Sequence, residues 1–146
     1  MIEELPEHAR AFMALVAHVE YVLRRNGYAR KNQRKAQIDW ALFAKELGED
    51  FFLAIRDAGD APTLIGEPPR AYHRGKGLQP VVQTPVANVK ELFLRGVCQV
   101  RNNIAHGEKY VETGTKRDDD LVREAKWVLE KAIERHSELK KLLARP

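Results

Sequence analysis

The apolar residues of this chain recur at spacings of three and four along several stretches and alternate convincingly in none, which commits it to helices. Between Pro6 and Asn26, the residues Phe12, Val16, Val19 and Leu23 make one stripe of a helical surface. Pro6 suits a first helical position, with Glu3, Glu4 and Glu7 at the positive end of the dipole. Arg24 and Arg25 suit the negative end, and Gly27 can stop the helix in the left-handed conformation. A second helix is expected from about Gln33 to Leu47, with Trp40, Phe43, Ala44 and Leu47 on one face and Gly48 closing it. Glu49 and Asp50 then open a short helix through Phe51, Phe52 and Ile55.

From Gly59 to Pro85 the periodicity collapses, and five of the seven prolines lie there with Gly59, Gly66, Gly75 and Gly77. A connection of that length in a compact helical domain is either functional or disordered. Helix returns from Val86 to about Ala105, and a last helix runs from about Asp118 to Leu143. Its opening Asp118-Asp119-Asp120 supplies a capping side chain, and Leu121, Ala125, Val128, Ala132, His136, Leu139 and Leu143 follow a seam spacing. Four main helices plus a short extra one, around a long loop at about 59–85, imply an all-α bundle in a single domain, 1–146.

Composition narrows the function classes. The sequence is 44% hydrophobic and 32% charged, an ordinary globular balance. Its start, MIEELPEHAR, carries acids where a signal peptide needs basic residues, and no run approaches the roughly 18 apolar residues of a membrane span, so a cytoplasmic protein is expected. Cys98 is the only cysteine, which excludes an internal disulfide and a cysteine-rich zinc site, and neither metal nor cofactor is implied. The net charge of +4 favours an anionic partner. From Tyr21 to Ile38 there is no acid, whereas Arg24, Arg25, Arg30, Lys31, Arg34 and Lys35 are basic: a surface for RNA phosphates, or a solvated helix end and turn. Arg70 to Gly77 is a second basic, flexible stretch, in which Tyr72 can stack on a base beside Arg74 and Lys76; a merely solvated loop is the other reading.

The segment from Val86 to Tyr110, VANVKELFLRGVCQVRNNIAHGEKY, is the most informative. Val89, Phe93, Val97, Val100 and Ile104 form a core stripe, while Glu91, Arg95, Gln99, Asn102 and His106 form a polar one. Gly96 inside a helix costs about 1 kcal/mol against alanine, which suggests close approach of another backbone. His106 closes the helix before Gly107, where the dipole favours imidazolium, and Asn102 one turn earlier is placed to orient its ring. His8 and His18 have no carboxylate cluster that suggests a metal; His136 on the last seam reads as a satisfied core histidine, and Trp40 and Trp127 as core.

The run Arg101-Asn102-Asn103-Ile104-Ala105-His106, followed by Gly107 and a long closing helix, resembles the signature of HEPN (higher eukaryotes and prokaryotes nucleotide-binding) domains. That resemblance implies Arg101, Asn102 and His106 as the catalytic group of an endoribonuclease. It further implies a homodimer in which both copies of the motif line one cleft, in the manner of a toxin or defence effector. Its non-catalytic counterpart is an RNA- or nucleotide-binding regulatory module paired with a nucleotidyltransferase-like or antitoxin partner. In one branch of the family a tyrosine follows the histidine by two residues; here that position is Glu108 and the nearest tyrosine is Tyr110.

Overall fold

The computed structural model describes residues 5–30, 37–73, 77–78, 83–106 and 116–145, and of 72–73 and 77–78 the backbone alone. The chain is all-α. Helix α1 (Glu7–Arg25) runs one residue short of the expected span at each end, because Pro6 stands before the first helical residue and accepts from the amides of Ala9 and Arg10 through its carbonyl. At the far end Gly27 has φ 96°, and the Tyr28 amide folds back onto the Leu23 carbonyl at 3.1 Å, a left-handed stop.

The next helix corrects the sequence expectation. α2 (Trp40–Leu47) begins at Trp40, not near Gln33, because the Asp39 carboxylate caps it by accepting from Leu42 N–H. Just before it, Ala29 and Ile38 form an isolated antiparallel bridge, and the Arg30 amide donates to the Gln37 carbonyl at 2.8 Å. α3 (Glu49–Ala58) follows directly, with Gly48 and Gly59 in the left-handed region at its two ends. Within the proline-rich connection lie a single helical turn, α4 (Pro62–Gly66), and a two-residue antiparallel ladder of β1 (Tyr72–His73) with β2 (Gly77–Leu78).

Val89–Glu91, Leu92–Val97 and Cys98–Ala105 make one continuous helix, α5, which starts three residues later than the expected Val86, behind the Asn88 side-chain cap. Its middle section is a π-helix, in which the Cys98 amide reaches back five residues to Phe93. The expected last helix is two: α6 (Lys116–Arg135) and α7 (Ser137–Leu143), interrupted at His136, whose ring caps α7 by accepting from Leu139 N–H at 3.1 Å.

α1 packs on α6 and α7, while α5 lies against α2, α4 and α6 and also touches α1 and α3. The buried apolar residues form one continuous cluster that draws on every helix. Its aromatic centre is Phe43, edge-on to Phe93 at 5.6 Å and to Trp40 at 5.7 Å, with Trp40 stacked on Phe93 at 5.9 Å. Gly96 does admit a close neighbour, but it is the Leu64 side chain of α4 rather than a backbone.

Side chains of α5 and α6 hold the long connection at several of its described residues. Glu124 of α6 accepts from Leu64 N–H, Arg117 donates to the carbonyls of Glu67 and Pro68, and Arg95 of α5 donates to those of Thr84 and Pro85. These bonds give loop backbone groups side-chain partners and fix the connection to α5 and α6. Among the described residues, no helix is long and apolar enough to cross a membrane.

Candidate functional site

The C-terminal half of α5 turns Val100, Asn103 and Ile104 into the protein, which sends Arg101 sideways toward α1. There it meets Glu20. The Arg101 Nη2 donates to both Glu20 carboxylate oxygens, at 2.8 and 2.6 Å, and its Nη1 donates to the Asn102 Oδ1 at 2.9 Å. The Trp40 indole N–H also donates to Glu20, at 3.4 Å. Glu20 is 12% exposed and Arg101 35%, so the carboxylate sits behind the guanidinium and the guanidinium faces outward. Among the described residues the Arg101 Nε–H makes no hydrogen bond, which leaves donor capacity on a cation already fixed in place.

One turn earlier, the Cys98 thiol is pushed up to about 12, first by burial and then by the charge of Glu20, with Arg101 opposing. A thiol held protonated in this way is no nucleophile at neutral pH.

Asn102 and Asn103, adjacent in sequence, do different things. Asn102 is half-buried, and its carbonyl oxygen goes to Arg101 rather than to the His106 ring. Asn103 is fully buried, donates to the Arg70 carbonyl at 2.9 Å and accepts from Gln99 at 2.9 Å, so it ties the long connection to α5. His106 ends α5: its amide bonds to the Asn102 carbonyl at 3.0 Å, and the residue is exposed. Five helical residues separate it from Arg101, about 140° of rotation and about 7.5 Å of rise.

Of the expected RNA contacts, Arg24, Arg25 and Arg30 are exposed around the end of α1, and the Arg25 guanidinium lies over the Tyr21 ring at 4.8 Å. Lys31, Arg34, Lys35, Arg74 and Lys76 lie outside the described residues, as do Glu108, Tyr110 and the side chain of Tyr72. His8 pairs with Asp119 at 3.0 Å, and Trp127 is half-buried with Lys131 over its ring. The polar stripe of α5 is largely engaged with itself and the connection: Glu91 pairs with Arg95, and Gln99 with Asn103. An open groove of about 570 Å³ between α3 and α6, lined by Phe51, Ile55, Trp127, Lys131 and Arg135, includes none of the predicted site residues.

Two residues escaped the sequence reading, Glu20 and Asn103. Glu20 did leave a signal: it is four residues after Val16 and three before Leu23, a carboxylate on the margin of an apolar stripe, where a cationic partner is required.

Comparisons with family models, with curated proteins and with solved structures found no match. Function is therefore argued from chemistry. A preoriented, outward-facing guanidinium near a helix end that carries a histidine suits charge stabilisation and proton transfer at a phosphodiester.

Proposed function

We propose that this protein is an endoribonuclease of HEPN type, acting without a metal through Arg101, Asn102 and His106 at a homodimeric site. The observation that carries the reading is the hold of Glu20 and Asn102 on Arg101, which fixes a part-exposed cation and leaves N–H donors for an anion. In the reaction the RNA 2′-oxygen attacks the adjacent phosphorus and the bond from phosphorus to the 5′-oxygen breaks. The 2′-hydroxyl proton leaves to a base, the 5′-oxygen takes one from an acid, and the product is a 2′,3′-cyclic phosphate. Arg101 stabilises the extra charge of the phosphorane, and His106 is the proton carrier. One site histidine per chain, His106, and two proton transfers on opposite sides of the phosphorus favour a second copy across a two-fold axis.

The non-catalytic module draws on the same pair: a guanidinium largely neutralised by Glu20 clamps phosphate less strongly than a free one. A nuclease assay separates the two. The endoribonuclease cuts RNA in the presence of EDTA and leaves 2′,3′-cyclic ends; His106→Ala abolishes cleavage without lowering the melting temperature, and Arg101→Ala abolishes it with some loss of stability, because Glu20 loses its cation. Cutting by His106→Ala at the wild-type rate, or cutting restored only by a divalent ion, defeats this mechanism. With freely exchanging subunits, titrating His106→Ala into wild type removes activity more steeply than the mutant fraction; proportional loss defeats the shared site.

A further inference from the structure

Tyr21 is 51% exposed, the most open of the large apolar side chains among the described residues, ahead of Leu53, Leu94 and Leu42. Arg25, one turn on, covers part of its ring from 4.8 Å. The ring is thus held by a cation and still presents half of its surface to water. It follows Glu20 directly, and Glu20 is the residue that holds Arg101. On a helix, Tyr21 projects about 100° from Glu20, so the ring stands on the face of α1 next to the one that meets Arg101. The surroundings are basic: Arg24 and Arg30 are exposed, and no acid occurs from Tyr21 to Ile38.

We infer that Tyr21 and Arg25 form a subsite for an unpaired RNA base, next to the phosphate position at Arg101. The placement beside a phosphate rests on the ribonuclease reading; the stacking surface itself does not. A flat aromatic face braced by a guanidinium suits any base, because every base has a π-face, and it discriminates by strandedness rather than sequence. A base inside a duplex is already stacked on both sides and cannot lie against a tyrosine on a helix surface. A protein partner for this patch would more often bring apolar groups around the ring, whereas the contact seen at the ring is the Arg25 cation.

The test is equilibrium binding of a labelled 2′-O-methyl oligonucleotide, which cannot undergo 2′-hydroxyl attack, followed by anisotropy both alone and paired with its complement. Tyr21→Ala should weaken the unpaired oligonucleotide at least about five-fold, and Tyr21→Phe should stay within about two-fold of wild type. Binding of the duplex should not respond to Tyr21→Ala. Wild-type affinity in Tyr21→Ala, equal losses for strand and duplex, or no oligonucleotide binding by wild type each overturn the subsite. So does loss of self-association in sedimentation with oligonucleotide affinity intact, which would make the patch a protein contact. Cleavage that persists without any Tyr21 dependence of binding removes this inference alone. Tyr21-dependent binding of this probe, with no cleavage of unmodified RNA of the same sequence, removes the ribonuclease reading and keeps the subsite.

Discussion

Glu20 holds the Arg101 guanidinium with both carboxylate oxygens, across 81 residues of sequence, while Trp40 holds Glu20 in turn. Arginine loses up to about 2 kcal/mol of side-chain entropy on being fixed, and here the fold bears that cost before any ligand arrives. The arrangement also lowers the net charge that an anion meets. The two effects predict opposite outcomes when the carboxylate is neutralised.

If positioning dominates, Glu20→Gln keeps a weak acceptor but loses the two-oxygen grip, and kcat for RNA falls about ten-fold to a hundred-fold with little change in KM. Glu20→Asp, shorter but charged, should fall between. The melting temperature should drop by no more than about 1 kcal/mol implies, since the pair is partly solvated. A rate increase in Glu20→Gln would show instead that Glu20 competes with substrate.

The adjacent asparagines should separate stability from activity. Asn103→Leu is nearly isosteric but removes the buried Asn103 amide's bonds to the Arg70 carbonyl and the Gln99 amide, a loss of about 1–3 kcal/mol. Asn102→Ala removes one bond to Arg101 at a half-buried position and should cost less than about 1 kcal/mol while reducing RNA cleavage. Equal destabilisation by the two variants in urea melts would refute the division of labour.

Local rules carried the sequence reading as far as local rules act. α1 was legible to within a residue at each end because its apolar stripe, its terminal charges and Gly27 all agree. The start of α2 was overrun because the helical spacing continues past Asp39, whose capping role depends on one bond to Leu42. The break at His136 is invisible to periodicity, since Leu139 and Leu142 still point into the core after it. Asn102, expected from its spacing to orient the His106 ring, instead gives its carbonyl oxygen to Arg101, its neighbour on the helix. Glu20, their long-range partner, was not nominated, since no spacing rule connects α1 to α5.

Gly96 gives a test of packing against backbone need. A methyl built there would meet Leu64 at 3.4 to 3.6 Å, ordinary van der Waals contact, and the residue has no positive φ. Gly96→Ala should therefore recover helix propensity of about 0.5–1 kcal/mol and raise the melting temperature by about 2–5 °C. Gly96→Val pushes branches into Leu64 and should cost about 1–3 kcal/mol. Destabilisation by alanine itself would mean that the π-helical stretch needs the glycine for its backbone.

The closing end of the bundle predicts how stability responds to pH. Tyr28 donates its hydroxyl proton to Glu46, and His136 Nε2 lies 2.8 Å from the same Glu46 oxygen. The other ring nitrogen of His136 accepts from Leu139 N–H, so in the neutral ring Nε2 carries the hydrogen and donates to Glu46. Burial alone would raise the Glu46 carboxyl, but the bonds from Tyr28 and His136 and the charge on His136 outweigh it, and the net direction is below its ordinary 4.5. The unfolded chain therefore binds more protons than the native one as pH falls through and below 4.5, and the stability that Glu46 contributes is lost there. Tyr28 moves the opposite way: burial first, then its bond to Glu46 and the charges of Glu46 and Glu138, raise it above its ordinary 10.0. Its contribution is complete below pH 10 and declines above it, when the unfolded tyrosine ionises and the native one does not. The chain holds three other tyrosines, so the difference between wild type and Tyr28→Phe isolates the effect. In urea melts from pH 3 to pH 11, Glu46→Gln should flatten the acid limb and Tyr28→Phe the limb above pH 10. Limbs that run parallel to wild type in both variants would mean that the Tyr28–Glu46–His136 cluster carries no proton-linked stability.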